Sequence, residues 1–271
     1  MLTPGNQPFG PLNLAVRPPV LIPRPETETW ATAAARLIAA RANASADRLR
    51  VLDLCTGSGC IALLVAYTLG KAQVPRPWSI TAVDCDPDAV ALACENAERQ
   101  GHALRPASAA HWQAPVGSNG ELHVVQADVF DDVAMRAVAQ FASEGPGFDV
   151  VLCNPPYIAA DEWAGLDASV RHWESRRALV GDSADAGANA DGLAFYRRLG
   201  ALFAGPALVR AARGGEVQLF AEVGAGQAGA VERLLAETTG RRTAVWDDEY
   251  GHKRVVLLYG AHGRGADYDE E

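Results

Sequence analysis

Short apolar runs alternate along this chain with longer amphipathic stretches, and no other feature restricts the fold as much. Residues 50–54, 79–84, 122–127, 148–153 and 216–223 read as strands. Residues 60–69, 87–100, 132–141, 193–212 and 227–238 read as helices that follow them. Pro87 sits in the first turn of its helix, where a missing N–H is harmless, and Gly205-Pro206 should break the fourth. Repeated β-then-α units give a mainly parallel sheet covered on both faces, an α/β fold of doubly wound type. Residues 243–246 and 254–259 are strands with no helix between them, so they should pair antiparallel. A parallel sheet that closes in this way suits a methyltransferase better than a dehydrogenase.

The remaining segments set the domain organisation. Residues 1–25 are rich in proline and glycine and should run extended as an N-terminal segment or linker, with 20–22 as a short strand. Thr27 or Thr29 is positioned to cap a helix that runs to residue 42. Residues 26–260 should form one domain. Within it, 102–121 are rich in Ala, Pro, Ser and Gly and read as a loop insertion. Residues 158–191 read as polar loops with one helical turn near 166–172, and 261–271 as an acidic, disordered tail.

Composition excludes several functions. The net charge is −9 and Lys71 and Lys253 are the only lysines, which argues against affinity built on nucleic-acid phosphates. The five cysteines form no CxxC pair and the six histidines have no ligand spacing, so buried reduced thiols and no metal site are expected. No apolar stretch is long enough to span a bilayer, and the first residues carry no signal-peptide core.

Three segments carry chemistry. Asp53-Leu54-Cys55-Thr56-Gly57-Ser58-Gly59 lies between the first parallel strand and its helix. Glycines there let the backbone turn sharply and approach a ligand closely. Read from Gly57, the spacing G-x-G-x-x-A also fits a dinucleotide fingerprint, so this loop alone does not separate NAD from S-adenosylmethionine. Asp84, ending the second strand, can accept hydrogen bonds from ribose hydroxyls, which both cofactors require. Asp128-Val129-Phe130 follows the third strand, where a doubly wound fold places its ligand crevice. Asp128 there can bind an adenine amino group, or cap the next helix.

The third segment is Asn154-Pro155-Pro156-Tyr157, delivered by the strand at 148–153. The Asn side chain offers a carbonyl acceptor, and neither proline has an N–H, so this backbone presents acceptors and few donors. The tyrosine ring can lie against a flat amide or base. The tetrapeptide can therefore hold an NH2 group by its hydrogens, and a plain Pro-rich turn is the alternative.

With Leu21-Ile22-Pro23-Arg24-Pro25-Glu26-Thr27-Glu28 added to the glycine loop and the NPPY segment, the chain resembles the HemK/PrmC family, the N5-glutamine methyltransferases of peptide chain release factors. The resemblance covers roughly residues 6–260 and takes in Glu174-Ser175-Arg176-Arg177-Ala178-Leu179, Asp191 to Arg197, and Gly251 to Val256. Gly5-Asn6-Gln7-Pro8-Phe9-Gly10 followed by Pro18 to Pro23 is most similar to the fungal mitochondrial branch. The resemblance implies a class I, Rossmann-like methyltransferase fold using S-adenosylmethionine. It implies that Thr56, Gly57 and Gly59 form the cofactor loop, that Asp84 binds ribose, and that Val129 lies beside adenine, next to the cofactor candidate Asp128. Arg24 belongs to the segment that closes over the cofactor's methionine end. Asn154, Pro155, Pro156 and Tyr157 would bind the glutamine; Asn154, Pro155 and Tyr157 would be catalytic, with Asn154 also touching the cofactor.

The implied partner is a release factor, met through its Gly-Gly-Gln loop. A monomer in the mitochondrial matrix is expected, or alternatively in the cytoplasm. The chain departs from the family at Cys55, where glycine is usual, at Ser175-Arg176, where a proline is missing, and in a longer loop at 181–191. The N-terminal helical domain that family members use in docking is expected to be missing here. An amino-methyltransferase of DNA or RNA shares NPPY but calls for a basic face. A dehydrogenase would leave NPPY without a role, and a non-catalytic scaffold would not need it.

Overall fold

The computed structural model describes residues 5–42, 47–140, 147–182, 190–205, 208–210 and 215–261. Its centre is a nine-stranded sheet in the order β10-β11-β9-β8-β3-β4-β7-β6-β5. Here β3 is Leu49–Leu54, β4 Trp78–Asp84, β5 Arg105–Ser108, β6 His111–Val116 and β7 Gly120–Gln126. On the other side, β8 is Val150–Cys153, β9 Val217–Glu222, β10 Thr243–Asp247 and β11 Lys253–Tyr259. Strands β9, β8, β3, β4 and β7 run parallel, and β11 and β10 close that edge antiparallel, as the missing helix predicts. Strand β3 is buried along its whole length, the charged Arg50 and Asp53 included, and its other four residues are leucine or valine.

Helices cover both faces: α1 (Pro25–Ala42), α2 (Cys60–Lys71), α3 (Pro87–Arg99), α4 (Asp132–Gln140), α5 (Ala168–Trp173), α6 (Arg176–Leu179), α7 (Ala194–Ala204) and α8 (Ala228–Thr239). Helix α3 starts as its sequence dictates: the Asp86 side chain accepts from the Asp88 N–H at 2.8 Å, with Pro87 at the first helical position. One core cluster fills the α1–α2–α3 face and a second the α7–α8 face.

Four expectations are corrected. First, the N-terminal segment is a hairpin rather than an extended linker. Strands β1 (Gly5–Phe9) and β2 (Leu12–Val16) pair across Gly10-Pro11, and Phe9, Leu12 and Leu14 join the core. Its dense Pro and Gly hide a two-residue turn flanked by alternating apolar positions. Second, Val20 to Ile22 form no strand; the Ile22 N–H is taken by Glu174 instead of a ladder partner. Third, the supposed insertion at 102–121 extends the sheet by β5 and β6, with β6 antiparallel to both β5 and β7. The alternation is present over the second half of β6, since Ala114 and Val116 are buried and Gln113 and Pro115 exposed, but proline masks it. Pro115 is tolerated because β5 reaches no further than Gln113, which leaves β6 as the sheet edge there.

Fourth, neither threonine caps α1. Thr29 donates back to the Pro25 carbonyl at 3.1 Å, and Thr27 is buried and turned toward β9. The expected helix at 193–212 ends at Ala204 and does not resume at 208–210, where Val209 bridges Phe148. The expected helix end at 141, residues 206–207 and 211–212, most of the 181–191 loop and residues 262–271 of the tail lie outside the described residues. Among the described residues, no helix is long and apolar enough to cross a membrane.

Candidate active site

The chain order reverses direction across the sheet between β3 and β8, and a doubly wound fold opens its ligand crevice there, beyond the strands' C-terminal ends. Leu54 and Cys153 are register partners in β3 and β8, so the glycine loop and the NPPY segment leave the sheet side by side. A cavity of about 560 Å³ opens at that point, a size suited to a nucleotide-like ligand. Cys55, Gly57, Asp84, Asp128, Val129 and Asn154 all line it.

The loop is held by Asp53, whose part the sequence reading did not identify. Its buried carboxylate accepts from the Thr56 hydroxyl at 2.6 Å and from the Ala62 N–H at 3.1 Å. Burial pushes this carboxyl up to about 7, against the pull of those two donors. Thr56 is thereby turned inward, and it is Cys55 and Gly57 that face the cavity. Cys55 has φ 59° and Gly57 φ 54°, in the left-handed region that favours glycine. Gly59 does not line the cavity; it starts α2 with φ 82°, and a Cβ there would lie 3.2 Å from the Ala93 Cβ. Buried Asn96 ties this loop to the hairpin, donating to the Ser58 and Ala15 carbonyls at 2.9 and 3.1 Å.

Asp84 fastens the other end of the loop. Its carboxylate accepts from the Gly57 N–H at 2.9 Å and the Asp86 N–H at 3.0 Å, while burial holds its pKa above the usual range. Further along, Asp128 accepts from the Phe130 N–H at 2.9 Å. It does not cap α4; Asp131 does, accepting from the Val133 and Ala134 N–H groups at 2.7 and 3.1 Å. Arg198 donates to the Val129 carbonyl at 2.7 Å and fixes the turn. Phe130 and Phe195 meet edge to face at 4.9 Å and form an aromatic wall of the cavity.

Arg24 lies outside the cavity lining. It donates to Glu174 at 2.6 Å, and the same carboxylate accepts from the Ile22 N–H at 3.2 Å. Ser175 N–H donates to the Pro19 carbonyl at 2.7 Å. These bonds seat Pro19, Val20 and Leu21 as part of the cavity wall, next to Arg176 and Arg177 on α6.

Of the NPPY segment, Asn154 and Pro156 line the cavity; Pro155 and Tyr157 do not. Asn154 Nδ2 donates to the Thr27 hydroxyl at 3.1 Å. Tyr157 is anchored by its backbone, its N–H donating to the Leu179 carbonyl at 3.1 Å and its carbonyl accepting from Gln227 Nε2 at 2.8 Å. Gln227 Oε1 in turn accepts from the Gly224 N–H at 3.0 Å, and a Cβ on Gly224 would come within 2.9 Å of the Tyr157 ring. Burial pushes the Tyr157 phenol up to about 12, so it stays protonated at neutral pH. A smaller cleft of about 210 Å³ lies between α1 and the β10–β11 end of the sheet, lined by Glu26, Trp30, Trp246 and Arg254.

Sequence reasoning did not single out Asp53, Asn96, Asp182, Glu222, Gly224 or Gln227. Asp182, for example, accepts from the Ala160 N–H at 2.9 Å and the Gly192 N–H at 2.9 Å, and so draws together the two ends of the segment after NPPY. Asp53 opens the glycine-loop segment but reads there only as part of the strand; the other five lie in no motif with a spacing rule, and Asn96, Glu222 and Gln227 act on partners distant in sequence. Among the described residues, no three His, Cys, Asp or Glu side chains converge to hold a metal ion.

The cavity fits S-adenosylmethionine. Gly57 presents bare backbone, Asp84 a carboxylate with lone pairs to spare, and the Phe130–Phe195 wall an apolar seat. The chain is 31% identical over 251 residues to the release factor glutamine methyltransferase of Lactococcus lactis, matching 92% of this chain and 73% of that one. It is 33% identical over 252 residues to the protein of the same name from Geobacter sulfurreducens, matching 93% and 70%. The probable MRF1 mitochondrial N(5)-glutamine methyltransferase mtq1 of Schizosaccharomyces pombe is 35% identical over 179 residues, which span 65% of this chain and 49% of that one. No family model matches. Among solved structures, the methyltransferase domain of METTL16 superposes with a TM-score of 0.53 at 17% identity, covering 93% of this chain and 89% of that one. A SAM-dependent methyltransferase from Agrobacterium tumefaciens superposes with a TM-score of 0.51 at 13% identity, covering 96% and 71%. These two likenesses establish the fold.

Proposed function

The chain belongs to the release factor glutamine methyltransferases, and from that premise we infer that it methylates N5 of the glutamine in the Gly-Gly-Gln loop of a release factor. One observation carries the reading: the glycine loop and NPPY leave adjacent parallel strands and meet at a single cavity. Cofactor contacts would come from Cys55 and Gly57, from Asp84 toward ribose, and from Asp128, Val129 and the two phenylalanines toward adenine. S-adenosylmethionine supplies a methyl group already activated on a sulfonium centre.

An amide nitrogen is a poor nucleophile because its lone pair is delocalised into the carbonyl. The protein's task is to hold it. Asn154 at the cavity wall would accept from one amide N–H through Oδ1; the Pro155 carbonyl and the Tyr157 ring, which do not line the cavity, would meet the second N–H and the amide plane as the glutamine enters. Orientation of this kind can be worth roughly 7–11 kcal/mol of the barrier. The same acceptors stabilise positive charge as it develops on nitrogen. The Tyr157 phenol stays protonated and so serves as no base. The nitrogen proton leaves to water after transfer.

An adenine or guanine amino-methyltransferase would use the same acceptors, but no observation here favours it. The compartment we propose is the mitochondrial matrix, after the name of the fungal relative. Calorimetry tests the cofactor: S-adenosylhomocysteine is expected to bind and NADH to give no heat. The reverse result would sink the methyltransferase reading.

A further inference from the structure

Asn154 is useful only in one of its two amide orientations. With Oδ1 toward the cavity it accepts from the substrate's NH2 group; flipped, it opposes donor to donor. Something must fix the flip, and the residues that can do so are on α1 and β9. Glu222, at the end of β9, is buried to 1% exposure, and among the described residues its carboxylate accepts from neutral donors. Its Oε2 accepts from Trp30 Nε1 at 2.7 Å and from the Thr27 hydroxyl at 2.7 Å. The indole N–H can only donate, so the Glu222 oxygen it meets must accept. Thr27 has one hydroxyl proton, and it is spent on Glu222. Toward Asn154, 3.1 Å away, that hydroxyl can therefore only accept. The amide nitrogen of Asn154 is held to Thr27 and its oxygen is left for the cavity.

We propose that Thr27 and Glu222, braced by Trp30, are positioning residues that fix the acceptor face of Asn154 toward the substrate amide. This rests on the glutamine-methyltransferase reading for its kinetic consequence, but the orientation itself does not. It gives Thr27, inside Pro25-Glu26-Thr27-Glu28, a purpose other than starting a helix. A buried carboxylate is costly to keep; the nearby Arg254 charge helps to hold Glu222 ionised, and the two donors at its Oε2 set the polarity of this chain of bonds. Burial also raises the Glu222 pKa, against the donors from Trp30 and Thr27.

Thr27→Val keeps the side-chain shape and removes the hydroxyl; Thr27→Ser restores it. Turnover on a release factor, affinity for S-adenosylhomocysteine and the assigned side-chain NH2 signals of Asn154 in 1H–15N spectra are measured for all three proteins. Thr27→Val is expected to lower kcat between roughly tenfold and a hundredfold, since small misplacements at a reacting centre cost about that much. Cofactor affinity should stay within about twofold. The Asn154 NH2 protons should lose their protection from solvent exchange, and Thr27→Ser should recover both readouts. Wild-type turnover in Thr27→Val, a parallel loss of cofactor affinity, or unchanged Asn154 signals would each overturn the proposal. If the wild-type protein methylates no release factor while Thr27→Val still frees the Asn154 amide, the functional reading fails and the positioning stands.

Discussion

Asp53→Asn should change how the protein's stability depends on pH, in a direction the structure dictates. Asp53 lies at the end of β3 with no exposed surface, and its carboxyl is pushed from 3.8 up to about 7, chiefly by burial. A carboxyl with a raised folded-state pKa binds its proton more tightly when folded. Its contribution to stability is complete below about 3.8 and is lost as pH rises through about 7. Within that window each pH unit costs about 1.4 kcal/mol. From pH 5 to pH 8 the wild-type protein should thus lose about 3 kcal/mol that an asparagine, which cannot titrate, does not lose. For a chain of this length that corresponds to roughly 5 °C in melting temperature. Asparagine can still accept from Thr56 and Ala62, so the loop keeps its bonds. Asp84, Glu174 and Glu222 are shifted upward too, but they are present in both proteins, and the comparison largely cancels them. Circular dichroism melts of both proteins from pH 5 to pH 8 decide the matter. The gap, mutant minus wild type, should widen by about 5 °C toward high pH. Parallel curves would refute the claim that Asp53 is held by burial.

Asn154→Ala should abolish methyl transfer while cofactor affinity changes far less; near wild-type turnover would count against orientation as the source of catalysis. Gly59→Ala forces a side chain into a left-handed residue, with its Cβ 3.2 Å from Ala93, and should cost about 2 kcal/mol in urea denaturation and weaken cofactor binding. An unchanged midpoint would show that α2 and α3 can part freely. Gln227→Ala releases the Tyr157 carbonyl and the Gly224 N–H, and should lower kcat by roughly tenfold with the cofactor affinity intact. Equal losses in both would mean that Gln227 supports the fold rather than the tyrosine.

The parallel heart of the sheet was legible because burial on both faces leaves its mark as apolar runs, continuous in β8 and interrupted only by Arg50 and Asp53 in β3. The antiparallel closure at β10 and β11 was legible because no helix separates them. What escaped were strands whose residues disguise their period. Hairpin β1–β2 and the outer strands β5 and β6 are rich in proline, glycine and alanine, which read as turns; only Leu12 to Leu14 and Gln113 to Val116 show a clear alternation of buried and exposed positions, too short a signal to mark strands. In the site, residues within contiguous motifs were found: Gly57, Asp84, Asp128 and Asn154 do converge on one cavity. Thr56, Gly59 and Arg24, which the resemblance places at the cofactor, do not line the cavity, and each is engaged by a neighbour. Asp53 holds Thr56, Ala93 crowds Gly59, and Glu174 holds Arg24. The supporting groups Glu222 and Gln227 act through partners 195 and 70 residues away. No local pattern encodes such pairs.

The central claim is the chemistry at one nitrogen. The protein, S-adenosylmethionine and an intact release factor are incubated together, and the product is digested and mapped by tandem mass spectrometry. One methyl group is predicted on the side-chain nitrogen of the glutamine in the Gly-Gly-Gln loop. None is predicted when that glutamine is replaced by asparagine, whose amide falls one methylene short of Asn154. A methyl group on any other residue, transfer to nucleic acid instead, or methylation of the asparagine variant at the wild-type rate would contradict the account.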